Sequence, residues 1–216
     1  MFNLFKKTHL LNPRTLPWEM KPLSSAETKS EIISDGRLKL SIKHELLKNV
    51  TPEMICWWFK NIEGEIIING KSFIRYHIWH PIDHISVNYV KRCSNGSIGP
   101  GTKIHITEAL GGNLRFLTDV ITTVEKLDTT GFRHVHKKFG ITLAEMDYKF
   151  TQVESGTSYE NNLTVGLKIP IIRYFFNRFL RPLFYTNTQG QAWLKHNVEE
   201  VGNFQYFLPE LYRSNQ

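Results

Sequence analysis

The sequence predicts a single α+β domain in which a curved antiparallel sheet wraps a long C-terminal helix and leaves a ligand cavity between them. Three observations predict it. A short helix signal stands early, at residues 51–62. Strand-like segments separated by Gly and Asn turns fill the middle. A helical stripe then closes the chain from about Thr188 to Phe207. With 216 residues, 41% hydrophobic and 22% charged, the chain has the size and composition of one globular domain.

Taken in order, residues 1–35 are polar, punctuated by Pro13, Pro17 and Pro22, and without periodicity. They read as an irregular N-terminal arm, with the domain proper spanning 36–212. Arg37–Lys43 alternates polar and apolar residues, the pattern of a half-buried strand. Thr51 can cap a helix, Pro52 suits its first turn and Glu53 favours its positive end; Met54, Trp57, Trp58 and Ile62 follow at helical spacing. Ser72–Trp79, Lys103–Leu110, Leu114–Glu125, Gly131–Phe139, Thr142–Val153 and Ser158–Lys168 are predicted strands. Ile169–Phe184 mixes apolar bulk with Arg173, Arg178 and Arg181. Two readings stand for it: a cover over the sheet that ends near Pro182, or a surface helix touching a membrane. In the final helix Trp193, His196, Glu200 and Phe204 share one stripe.

Several function classes are set aside. The net charge of +7 permits an anionic partner, but the basic residues are scattered and no nucleic-acid-binding signature accompanies them, so nucleic acid is not an expected partner. No stretch reaches the roughly 18 uncharged apolar residues of a membrane span. Met1–Thr8 lacks the apolar core of a signal peptide, and Cys56 and Cys93 form neither a disulfide framework nor a thiolate zinc site. A cytoplasmic setting is the expectation, and a homodimer is left open.

The chemistry-bearing residues fall in three places. His196 and Glu200, four apart, lie on one helical face and can bind one ion together; a solvated helix-face contact is the plain alternative. Tyr76-His-Ile-Trp-His-Pro-Ile-Asp-His84 packs three histidines and an aspartate at a predicted strand end. Alternation there sets Tyr76, Ile78 and His80 on one face, and Pro81 breaks the strand and redirects His84. Glu108 shares a face with Ile104 and Ile106, where a buried carboxylate needs a partner, either a metal or a basic side chain across the sheet.

Together the Tyr76–His84 motif, the preceding Thr51-Pro-Glu-Met-Ile-Cys-Trp-Trp-Phe59, Glu108 and His196-x-x-x-Glu200 resemble the 2,4-diacetylphloroglucinol hydrolase family over roughly residues 36–210. The resemblance implies a START-like helix-grip fold and a zinc-dependent hydrolase. Such an enzyme cleaves the C–C bond of an acylated phenol or β-diketone-like molecule through a metal-activated water. It implies metal ligands at His84, Glu108, His196 and Glu200, with His80 as the alternative to His84. Catalytic and substrate-binding roles fall on Tyr76 and Tyr159, and a further catalytic histidine on His136, or His134 in its stead. Manganese and iron remain candidates beside zinc, because two imidazoles and two carboxylates suit several metals. The implied partner is a small aromatic or ketonic substrate. The competing reading is a START-like small-molecule or lipid-binding module, or a polyketide cyclase-like protein, without metal catalysis.

Overall fold

The structure, a computed structural model, describes residues 12, 14–68 and 70–216. Its first half comprises β1 (Glu27–Ile32), β2 (Leu38–Lys43), β3 (Leu47–Lys48), α1 (Pro52–Lys60), β4 (Glu65–Ile68), β5 (Lys71–Ile74), α2 (Arg75–Trp79) and β6 (His84–Lys91). The second half adds β7 (Lys103–Ala109), β8 (Leu117–Asp128), β9 (Gly131–Lys138), β10 (Ile141–Val153) and β11 (Gly156–Val165). Three helices follow: α3 (Ile172–Phe175), α4 (Arg181–Phe184), reached through a π turn, and α5 (Asn187–Arg213). The main sheet is antiparallel in the order β1-β2-β11-β10-β9-β8-β7-β6, with β3 added to β11; β4 and β5 pair separately.

Alternation explains which face of the sheet is dry. In β2, Leu38, Leu40 and Ile42 are buried while the residues between them face outward. The long helix α5 covers that dry face in two stretches. Trp193, Leu194 and Val198 pack on Leu38, Leu40, Ile42 and Leu163. Val201, Phe204, Phe207 and Leu208 join Trp58 and Phe59 of α1 and the aromatics of β9–β11. Each such side chain contributes about 1.5–3 kcal/mol when fully buried. The architecture is the α+β sheet-around-helix arrangement expected from the sequence. Helix α1 begins as expected, with Thr51 Oγ1 accepting from Met54 N at 3.3 Å.

Five boundaries differ from the expectation. Ser72–Trp79 is not one strand. Its partner β4 gives the ladder nothing beyond Ile74, so the chain coils into α2 and buries Tyr76, Ile78 and Trp79 by helical turn instead. Tyr76 and His80 therefore share a side because they are four apart in a helical turn, not through strand alternation. The expected arm is partly sheet: β1 pairs with β2 from Glu27↔Lys43 to Ile32↔Leu38, so the domain begins before residue 36. Within the rest of that arm Trp18 Nε1 donates to Asn203 Oδ1 at 3.0 Å, while residues 1–11 and Pro13 lie outside the described residues. His84 opens strand β6 and α5 runs on to Arg213 through Pro209, both beyond the periodic signal. Pro182 does not end the Ile169–Phe184 segment; it sits in the first turn of α4, where a missing N–H is tolerated.

A chain of buried amides fastens α5 to the sheet. His44 Nε2 donates to Asn161 Oδ1 at 3.0 Å, Asn161 Nδ2 to Asn197 Oδ1 at 2.7 Å, and Asn197 Nδ2 to the Trp193 carbonyl at 3.2 Å. Burial pushes the His44 imidazole down to about 4, although its bond to Asn161 works the other way. The unfolded imidazole titrates near 6.5, so between about pH 6.5 and 4 the unfolded chain binds the extra proton. Stability should therefore fall as pH falls through that window, by up to about 1.4 kcal/mol per pH unit from this group. His44→Gln keeps a donor and cannot titrate. Urea unfolding across the window should give a shallower pH slope for the variant than for the parent, and equal slopes would exclude the role.

Candidate metal centre

The β6–β7 register sets His84 directly opposite Glu108, and both point to the side covered by α5. There His196 and Glu200, one turn apart, face them. His84 Nε2 stands 3.3 Å from Glu200 Oε2 and 3.6 Å from Glu108 Oε1. His196 Nε2 stands 3.6 Å from Glu200 Oε2 and 3.8 Å from Glu108 Oε2. Four ligands about 2.0–2.2 Å from a tetrahedral zinc lie about 3.3–3.6 Å apart, close to these four histidine–carboxylate separations.

Hydrogen bonds on the outer nitrogens fix which way each ring presents its lone pair. His84 Nδ1 donates to the Tyr76 carbonyl at 2.6 Å, and His196 Nδ1 donates to Asp83 Oδ2 at 2.9 Å. Each imidazole then turns its Nε2 inward, the tautomer that carboxylate or carbonyl partners impose on metal-binding histidines. His84 Nε2 is buried without a hydrogen-bond partner among the described residues. Ligand atoms of His84, Glu108 and His196 all fall within 4.8 Å of one another. An orphaned lone pair beside two carboxylates fits a divalent cation.

The charges lean the same way. Burial works against a protonated His196, yet Glu200, Asp83 and Glu108 outweigh it and raise the ring to about 9. Burial lifts Glu200 well above the usual carboxylate range, and the neighbouring Glu108 and Asp83 add to it, against the pull of His196. Burial, then the other histidines, drives His84 well below 6.5. The pocket favours added positive charge at its centre.

His80 goes elsewhere. Its Nδ1 accepts from the Asp83 and Ile82 backbone N–H groups at 3.1 and 3.4 Å, and its Nε2 faces Glu199 Oε2 at 3.3 Å. It does approach Asp83 and His196 closely enough to form a second acidic–imidazole group, but both of its nitrogens are engaged. Glu199, about 100° around α5 from Glu200, joins His80 and the outer Lys195 rather than the cluster. No lysine or arginine reaches Glu108 among the described residues; its partners are Tyr76, His84 and His196.

Tyr76 lies flat on His84, ring centroids 3.7 Å apart at 7°, and its hydroxyl donates to Glu108 Oε1. Burial and Glu108 hold the phenol protonated. Glu108, His196 and Glu200 of the cluster line a narrow cavity together with Trp79, Ile104, Ile106, His134, Tyr148 and Trp193. This cavity shares Ile106, Glu108, His134, Met146 and Trp193 with a broad apolar groove of about 690 Å³ that opens outward, a size suited to a small organic molecule.

The structure sorts the remaining expected residues. His134 lines the inner cavity, its ring close to parallel with the neighbouring Phe132 and Tyr148 rings, with Nδ1 unpartnered among the described residues; burial and then Arg133 push it down to about 3. His136 lies one step outward along β9, bonded through Nδ1 to the Ile121 carbonyl at the groove wall. Tyr159 is fully buried among Tyr148, Phe150 and His44 and lines neither cavity nor groove. Tyr148 stands in the place expected for it. Both tyrosines alternate inward, on neighbouring strands, but the Tyr148↔Phe132 pairing carries Tyr148 nearer the cluster. Asp83 was visible in the motif, yet its bond to His196 spans 113 residues and no local signal announces it.

No curated protein matches this sequence. The structure is similar to a START superfamily protein from Mycobacterium smegmatis, at 13% identity over 74% of this chain and 98% of that one, with a TM-score of 0.43. It is also similar to a protein from Rhodobacter sphaeroides, at 12% identity over 86% and 99% with a TM-score of 0.48. A protein of unknown function from Staphylococcus aureus gives 10% identity over 87% and 98%, with a TM-score of 0.43. The DAPG hydrolase PhiG domain matches residues 20–176, which include Tyr76, His84, Glu108, His134 and Tyr148 and stop short of α5. With most of its length matched, the chain belongs to the DAPG hydrolase PhiG domain family, the hydrolase family that its sequence resembles.

Proposed function

We propose that this chain is a zinc-dependent hydrolase that cleaves the bond between an acyl carbon and an electron-rich ring or enol carbon. One observation carries the reading. Two buried imidazoles, each with Nδ1 tied to an oxygen, aim Nε2 at Glu108 and Glu200 beside a narrow cavity that meets an apolar groove at Glu108. His84, Glu108, His196 and Glu200 would hold the ion. Bound there, zinc supplies a Lewis acid and lowers the pKa of water to about 7.

The chain's own residues account for the remaining requirements. Trp79, Ile104, Ile106 and Trp193 exclude water and give an aromatic ring apolar side chains to pack against. Tyr76 supplies a neutral hydroxyl beside Glu108, within reach of a carbonyl oxygen held over the cluster. Tyr148 supplies a second neutral hydroxyl, whose only hydrogen bond among the described residues is a weak one to Met146 Sδ at 3.6 Å. Next to it His134 is a neutral imidazole. When an acyl–carbon bond breaks, charge collects on the phenolic or enolic oxygens of the leaving fragment. Hydrogen bonds from Tyr148 and His134 strengthen as that charge grows.

Metal content is the first test. Purified protein should carry about one zinc per chain by mass spectrometric elemental analysis. His84→Ala, His196→Ala and Glu200→Ala should each retain little, whereas His80→Gln and Glu199→Gln should stay near one. Full occupancy in His84→Ala with loss in His80→Gln would move the centre to the His80–Asp83–His196 group.

Substrate class is the second. Acylphenols and β-diketones, followed by product mass, should be cleaved between carbons, with simple aryl esters turned over poorly. Tyr148→Phe should lower kcat on the order of 100-fold, as for loss of one donor to developing charge, with zinc content unchanged. Rapid ester turnover without carbon–carbon cleavage would sink the assignment. A binding module without catalysis would instead hold apolar ligands in the groove equally well after chelation.

A further inference from the structure

The segment that closes the groove is built inside out. Across α3, the π turn and α4, Asn177 and Arg181 point inward, while Arg173 is half-buried and Arg178 exposed. Asn177 is 1% exposed, donating to the Asp35 and Leu167 carbonyls at 3.0 Å each and accepting from Leu167 N at 2.8 Å. Arg181 is 6% exposed and donates to the Tyr185 carbonyl at 3.2 Å. The apolar side chains point outward: Ile171, Tyr174, Phe175, Phe179, Leu183 and Phe184 are all exposed, Ile171 to 84% and Leu183 and Phe184 to 74%. A helix covering a sheet in water has the reverse polarity. Across the groove mouth the β9–β10 turn adds Phe139, 93% exposed at φ +51°, a conformation that a bulky residue adopts only under local constraint.

The charges around this apolar face that lack an ion-pair partner among the described residues are cationic. From Asn161 to Val198 the sequence has no Asp or Glu. Arg173, Arg178 and Lys138 have no carboxylate partner among the described residues. Asp119, on the groove wall, is tied to His105 at 2.6 Å, and Glu145 is held by Arg37, Arg133 and Lys168. Isolated exposed apolar residues need no explanation, but a contiguous aromatic face rimmed by unpaired cations does. A second copy of the chain would set like charges against each other across a two-fold axis. An anionic lipid surface offers negative headgroups to the rim and acyl chains to the aromatics. No helix among the described residues is long and apolar enough to cross a bilayer, so the contact is with the surface.

We propose that the Ile171–Phe184 face and the Phe139 turn dock this protein on anionic phospholipid bilayers, with the groove mouth against the lipid. The inference goes beyond the hydrolase reading and does not need it, because its test reads binding alone. The full chain is sedimented with vesicles of phosphatidylcholine mixed with phosphatidylglycerol, and with phosphatidylcholine alone, at low and high salt. Binding is expected to the mixed vesicles and to weaken with salt. Arg173→Gln with Arg178→Gln should reduce partitioning on the order of 30-fold. Phe175→Ser with Phe179→Ser should reduce it at least comparably, and both pairs of changes are at exposed or half-buried positions that leave the melting temperature unchanged. Failure of the parent protein to sediment with anionic vesicles would overturn the proposal. So would binding that both double variants retain, or a dimer by light scattering that the same variants dissociate.

Discussion

Asp83 is 1% exposed and its carboxyl is held at about 2, so a full negative charge sits inside the protein and must be met by donors. Burial opposes that charge; the bonds from His196 and Gly111, with the nearby His80, overcome it. The Gly111 and Gly112 N–H groups reach its two oxygens at 2.9 Å each, and His196 Nδ1 reaches Oδ2 at 2.9 Å. Its own carbonyl accepts from Ala109 N, and its N–H goes to His80 Nδ1. One side chain thereby ties the α2–β6 turn, the end of β7 and the middle of α5. The two glycines stand at φ +67° and +64°, which converges successive N–H groups on one anion, and a Cβ at 112 would press on Ile82 at 3.2 Å. Unpaired at this depth, the carboxylate would cost several kcal/mol, so the turn, strand end and helix cannot separate cheaply.

From that tie the centre inherits its orientation. With Nδ1 of His196 committed to Asp83 and Nδ1 of His84 to the Tyr76 carbonyl, neither ring can flip without breaking a buried bond. Tyr76 holds the site twice, its carbonyl orienting His84 and its hydroxyl bonding Glu108, while its ring lies against the His84 face. The coil of α2 makes this double use feasible. A strand through residues 72–79 would send the Tyr76 carbonyl into a ladder and leave His84 unoriented.

Much of this was legible in the sequence, and what was not has a physical cause. Strands β7 to β11 and helix α5 announce themselves because each buries one face and repeats its period for many residues. Residues 75–79 also alternate, and only the absence of a partner strand beyond Ile74 turns them into a helix; that absence is a tertiary fact. The spacing of His196 and Glu200 is local and readable, whereas the meeting of His84 with Glu108 depends on register across a 24-residue separation. Tyr148 and Tyr159 look equivalent along their strands. Their difference arises where α5 crosses the sheet, leaving Tyr148 at the cavity wall and sealing Tyr159 beneath Phe204.

The molecule is graded in polarity along one line. At the inner end the carboxyl groups of Glu108 and Glu200 stand around His84 Nε2, which has no hydrogen-bond partner among the described residues. Next comes the apolar groove, whose wall residues Leu163, Val165 and Trp193 belong to the same stripes that hold α5 on the sheet. At the outer end the polarity reverses, with Asn177 and Arg181 turned in and aromatic side chains turned out. Electrostatic interactions at the inner end gain strength as water is excluded, and a groove that must stay dry is best entered from a dry side. The outward aromatics would be a liability on a protein meeting only water, where contiguous apolar surface invites self-association. Their unpaired cationic rim opposes that association while leaving contact with an anionic surface favourable, so one set of residues answers both constraints.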